Sequence, residues 1–206
     1  MRRSVPLYSA LGVVLLAGAC SSGASDLGPA ATLGTAPPTT STTARPVDVA
    51  AIPDDPADID ETYVQAVIDA LFAVDAEATK IFVETKQLDP RGVEILASIY
   101  IGEELDQQVH HWEQLLAQRP DEVLPGALRH SVRRILGVAA DCVFVMAERD
   151  FAATTTRTAP PTMTYLGITP KEPSDDPGGR NSSGWVIFSD GVAIQGRAPE
   201  DPCVGR

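Results

Sequence analysis

The spacing of apolar residues changes character once along this chain, near Pro125-Gly126, and that change restricts the fold more than any other feature. Before it, "ADIDETYVQAVIDALFAVDAEATKIFVETKQ" places apolar side chains at Tyr63, Val64, Val67, Ile68, Leu71, Phe72, Val74 and Ala78, then Ile81 and Phe82. Steps of three and four mark an amphipathic helix, which Asp58 or Asp60 can cap and which can break in two near Glu77 to Thr79. Asp89-Pro90-Arg91-Gly92 reads as a turn. A second helical run then carries Ile95, Leu96, Ile99, Leu105, Val109, Trp112, Leu115 and Leu116 on one face and stops at Pro120, with Gly102 as its weak point.

After Pro125-Gly126 the residues become rich in Val, Ile and Phe. Ser131 to Val138 is expected as a strand. Cys142 to Ala147 follows as a central strand, because its apolar residues occupy both faces. Thr162 to Thr169 and Gly184 to Phe188 are two more strands, separated by the polar loop "PKEPSDDPGGRNSSG". Ser189-Asp190-Gly191 is expected to turn the chain, so that "VAIQG" returns as a hairpin. Helices first and antiparallel strands after imply an α+β fold, with the helices on one face of a curved sheet.

The first 56 residues belong to neither pattern. Met1, Arg2 and Arg3 precede an apolar run from Val5 to Ala19, shorter than the roughly 20 residues a membrane span requires. A positive start, a short apolar stretch and small residues at its end are the marks of an export signal. The ending Leu16-Ala17-Gly18-Ala19-Cys20 resembles a bacterial lipobox, with one extra small residue. That resemblance implies that residues 1–19 are removed, that Cys20 carries the lipids, and that the protein sits on the outer face of the cell membrane. Acyl chains contribute about 0.8 kcal/mol per buried CH2, so several together hold a soluble domain at a bilayer. Residues 20–56, with "TAPPTTSTTARP" at their centre, lack the bulky apolar residues that folding requires and read as a disordered tether. A flexible chain of that length spans about 33 Å. The folded domain is then expected over 57–206.

The formal charge is −12, and loss of residues 1–19 takes Arg2 and Arg3 and no acid, leaving −14. Such a chain is a poor match for nucleic acid, whose partners carry basic footprints. With Cys20 lipidated, Cys142 and Cys203 remain. In an exported, oxidising setting they most simply form one disulfide; a metal site or a catalytic thiol is the alternative, and no histidine lies near either cysteine in sequence.

"HSVRRILGVAADCVFVMAERDF", "NSSGWVIFSDGVA" and the late cysteine together resemble a group of actinobacterial lipoproteins with a nuclear-transport-factor-two-like, or SnoaL-like, domain. Cys142, Gly184-Trp185 and Cys203 stand at the group's characteristic places, and the likeness covers roughly residues 57–203. It implies a cone in which the sheet wraps the helices and leaves a pocket at the open end, either holding an apolar ligand or filled and serving only as a docking surface. Fold does not decide between these.

Catalytic motifs are few. The sequence has no G-x-S-x-G, no H-E-x-x-H, no Gly-rich phosphate loop and no C-x-x-C. His110 and His111 are adjacent, about 100° apart on a helix, so they do not form an i, i+4 metal pair and, with Glu103 and Glu104, read as a solvated face. His130 reads as a surface or capping residue. For acid–base work the candidates are Asp141 and Glu148, which flank the central strand, with Tyr63 and Tyr165. Trp112 and Trp185 complete the set of possible pocket residues, although on apolar faces they read first as core. No cofactor or metal is expected. The leading expectation is a non-enzymatic binding or accessory domain of the cell envelope, whose partner is an envelope protein or a small apolar ligand. The alternative is a small SnoaL-type enzyme acting through a buried acid in the cone.

Overall fold

The computed structural model describes residues 47–139, 141–192 and 200–204. Cys20, the signal segment, the tether up to residue 46 and most of the expected "VAIQG" return lie outside the described residues.

Among the described residues the fold is α+β, with three α-helices followed by a four-stranded antiparallel sheet. Helix α1 (Glu61–Thr85) starts at Asp60, whose carboxylate accepts the Tyr63 amide at 2.8 Å. It runs unbroken through Glu77–Thr79, where a break was expected, because Leu71, Ala78 and Phe82 continue one buried stripe. Two polar residues of this stretch, Asp75 and Thr79, are themselves buried on α1. Asp89 to Gly92 is no simple turn. Asp89 caps the Arg91 amide and Pro90 opens helix α2 (Pro90–Leu96), a use that suits a residue with fixed φ and no amide hydrogen.

The second helical run is two helices. Between α2 and α3 (Gly102–Gln118) the backbone is captured by the sheet: Ile187 donates to Ile99 O at 2.7 Å, and Ile101 donates to Ile187 O at 3.0 Å. These groups would otherwise serve a continuous helix. Gly102, at φ 60°, starts α3 from the left-handed conformation that glycine tolerates.

Strands β1 (Arg129–Ala139), β2 (Cys142–Asp150), β3 (Thr162–Pro170) and β4 (Trp185–Val192) form a meander in chain order. Val143, Val145, Ala147, Leu166, Ile168, Trp185 and Ile187 face the helices and join Val64, Leu71, Phe82 and Leu96 in one core. Val132, Ile135 and Val138 pair with Ala147, Val145 and Val143, although they are three residues apart. Two bulges, at Val132/Arg134 and Ile135/Gly137, each take up one residue and restore the inward face. On the opposite face Phe144 stacks on Tyr165 with ring centroids 5.9 Å apart, and Cys142 is bonded to Cys203 across a Cα–Cα distance of 5.6 Å. A loop of about 60 residues closed this way is worth about 4 kcal/mol in the chain-entropy account.

β4 is longer than expected, and Ser189, Asp190 and Gly191 lie within it instead of turning the chain. The last tether residues are also part of the domain. The Gly184 amide donates to Val49 O at 2.8 Å, and a Cβ on Gly184 would lie 2.9 Å from Ala50 O, so the passing strap requires glycine there. The expected polar loop is pinned too: the buried Asn181 side chain donates to Ser98 O (3.0 Å) and Trp185 O (2.8 Å).

Candidate functional site

An open cavity of about 710 Å³ lies beside α3, the ends of β2 and β4, and the 151–159 segment. Its apolar lining comes from Trp112, Leu115, Val123, Leu128 and Phe151. Its polar lining draws on every neighbouring element, with Asp75 from α1, Tyr100 from the α2–α3 link, Glu104 from α3, Arg149 from β2 and Asp190 from β4 among them. A second, shallower groove of about 440 Å³ between α1 and Val132 is lined by Glu61, Gln65 and Asp69 and by no buried polar side chain.

Arg149 is the hub of the polar cluster. One guanidinium nitrogen meets both carboxylate oxygens of Asp190, with 12% and 4% of the two side chains exposed. Its Nε donates to His130 Nε2 at 2.9 Å. That leaves the proton of a neutral His130 ring on Nδ1, a buried atom with no hydrogen-bond partner among the described residues. Burial, and then the Arg149 charge, push the His130 pKa down to about 3, so the ring is neutral under ordinary conditions. Phe72 stacks on it with centroids 3.8 Å apart.

The two neighbouring carboxylates are also engaged. The Asp190 amide donates to Glu104 Oε2, and Gln108 Nε2 donates to Glu104 Oε1, both at 2.8 Å. Burial raises the Glu104 pKa. Asp75 differs. It is 8% exposed, receives a long hydrogen bond from Tyr100 Oη at 3.4 Å, and has a weaker contribution from the Thr79 hydroxyl. Burial raises its pKa to about 6, and the negative charge of Asp190 adds to the effect. Tyr100 is held well above its ordinary value, by burial first and then by Asp75, and stays protonated as the donor. At the cavity mouth, burial and Arg149 lower the His111 pKa. A carboxyl near 6 on the wall of an open cavity can bind a polar group or exchange a proton with one near neutrality.

Of the six residues expected to line a pocket, Trp112 lines this one. Tyr63 and Trp185 form a strut within the core: Trp185 Nε1 donates to Tyr63 Oη at 2.7 Å, and Tyr63 donates to Ala51 O at 3.0 Å. Tyr165 stacks on the opposite face of the sheet. Asp141 is exposed beside the β1–β2 turn, and Glu148 is paired with Arg133 at 2.8 Å. Neither acid reaches the cavity, because Glu148 is one position out of phase with Ala147 and Arg149. His130, expected at the surface, is buried at 5% exposure. Glu104 is buried in the polar cluster, away from the solvated face on which it was placed. His110 does lie exposed, 2.7 Å from Gln114 Nε2.

The cluster residues that sequence reasoning passed over carried readable signals in part. Asp75 stands four residues after Leu71 and three before Ala78, on the buried stripe of α1. Arg149 continues the alternation Val143, Val145, Ala147, a charged residue on a core-facing phase. Asp190 had no such signal. Strict alternation from Trp185 and Ile187 points Ser189 inward, but a bulge at Gly167/Ile168 shifts the phase and sets Asp190 opposite the inward Leu166.

Fold and site together define an α+β domain with an open cavity and a buried cluster of acids and one arginine at its wall. No family model, no curated protein and no solved structure matches the chain.

Proposed function

We propose that this protein is an exported lipoprotein, anchored through Cys20, whose folded domain is a non-enzymatic binding module that takes a small, partly apolar ligand into the cavity beside α3. The observation that carries the reading is the cavity itself: about 710 Å³ of space with apolar walls and a few convergent polar groups, the usual make-up of a small-molecule site. The anchor is supported by the lipobox-like ending and the tether, and the oxidising setting by the Cys142–Cys203 bond. The SnoaL-like cone belongs to the same proposal, supported by helices that precede the sheet and pack on one face of it.

A second reading, a small acid–base enzyme, is favoured by one observation. Asp75, not Asp141 or Glu148, is a buried carboxyl near pKa 6 that faces the cavity beside the Tyr100 hydroxyl.

Two measurements test the proposal. Cys20→Ala should move the protein from the membrane fraction to the soluble fraction; retention would overturn the anchor. Fractionated small-molecule extracts of the source cells should contain a component that raises the melting temperature in proportion to its concentration. Its recovery unchanged after incubation supports binding, and its conversion favours the enzyme.

A further inference from the structure

We propose that the cavity selects ligands bearing a protonated amine, with Asp75 as the counter-ion and Trp112, Leu115 and Phe151 around the apolar part. The inference rests on the cavity being a ligand site.

It follows from the charges and from which of them are already engaged. The polar wall carries Asp75, Glu104 and Asp190 against Arg149 as the buried cation. Asp190 has both oxygens on Arg149, and Glu104 has both oxygens on N–H donors, Gln108 and the Asp190 amide. Asp75 has only the 3.4 Å contact from Tyr100 and a weaker contribution from Thr79. A carboxylate more than nine-tenths buried, beside an open cavity, with two weak neutral donors and no cation paired to it, is the group whose partner is incomplete. An ammonium supplies what is missing: three N–H donors and a positive charge. Tyr100 Oη, whose proton points to Asp75, has lone pairs for a second of those donors. An anionic ligand would meet an excess of negative charge, and a neutral alcohol would supply one donor and no charge.

The other titratable and charged groups around the cavity are His110 and His111 on α3, Arg119, Glu122 and Arg157 at the rim, and Tyr100, Arg149 and Asp190 within. Glu122 is held by Arg157 at 2.6 Å. Protonation of His111 at low pH would also repel an amine, so the Asp75 variant is needed to separate that effect from the one at Asp75.

The probes are three compounds of one shape: cyclohexylmethylamine, cyclohexylmethanol and cyclohexanecarboxylate. They are titrated into the full-length protein at pH 7.5 by calorimetry, with Trp112 fluorescence as a second readout. Aliphatic amines ionise near 10, so this probe is charged throughout. The expected result is that the amine binds at least about tenfold more tightly than the alcohol, as a charge-assisted hydrogen bond allows, with the carboxylate weakest. Asp75→Asn, of the same shape, should bring amine and alcohol to within about threefold, and lowering the pH to 5 should do the same in the wild type only. Equal binding of alcohol and amine, or an amine preference that survives in Asp75→Asn, overturns this inference and leaves the ligand site standing. Failure of all three probes to bind overturns both. Asn is uncharged and removes no volume, and its melting curve checks the fold.

Discussion

Asp75→Asn also makes a stability prediction that needs no ligand. Asp75 sits at a pKa of about 6, against an ordinary 3.8, because burial penalises its charged form. At 1.36 kcal/mol for each pH unit, the ionised group costs the folded state about 3 kcal/mol. The folded-state value is raised and the group is an acid, so the penalty is complete above pH 6 and disappears below the unfolded value. Stability from this group therefore rises as pH falls from 6 toward 3.8. Asparagine lacks the penalty at every pH. The variant should gain on the wild type by about 2 to 3 kcal/mol at pH 8, and the gain should shrink below about 1 kcal/mol at pH 4. The assay is urea unfolding of both proteins at pH 8, 6 and 4, with the disulfide kept oxidised, comparing the difference between the two proteins at each pH. His130 titrates in both proteins and cancels to first order. A difference that is constant with pH would refute the claim that a buried, ionised Asp75 faces the cavity.

His130 works in the opposite sense. Its folded pKa is depressed to about 3, so the stability it contributes is present above pH 6.5 and lost as pH falls toward 3, by about 2 kcal/mol at pH 5. His130→Gln, which retains an acceptor for Arg149, should flatten the acid limb of the stability curve between pH 6.5 and 5. Arg149→Met leaves Asp190 buried without its cation and should cost about 3–5 kcal/mol, measured by urea unfolding; the double variant with Asp190→Leu should recover much of that loss. Cys203→Ser should lower stability by up to about 4 kcal/mol, and non-reducing peptide mapping of the wild type should recover Cys142 linked to Cys203.

The order of helices and strands was legible because each element keeps its period over many residues, as α1 does from Tyr63 to Phe82. What escaped were the places where one element borrows from another. The α2–α3 break is made by Ile187, distant in sequence, taking the hydrogen bonds of Ile99 and Ile101. Asp89-Pro90 serves a turn and a helix start equally well, and the seven-residue helix behind it decides between them. The candidate site divides the same way. Asp75 and Arg149 break an apolar pattern at core-facing positions and were open to being read as buried charges. Asp190 depends on a bulge, and a bulge has no signature in the strand that carries it. Asp141 and Glu148 flank the central strand in sequence, but nearness in sequence does not set the face a side chain takes. Asp141 lies just before the strand begins, and Glu148 has the phase that pairs it with Arg133.

The central claim is that the cavity beside α3 is occupied in the cell. Its most direct test is native mass spectrometry of the full-length protein released gently from its own membranes, beside Leu115→Trp, which fills the cavity from its half-buried wall. The wild type should carry a discrete added mass that is missing from a Leu115→Trp protein with normal folding. The same added mass on both proteins would place the ligand elsewhere and contradict the account, as would a wild type that carries none and takes up none from cell extract.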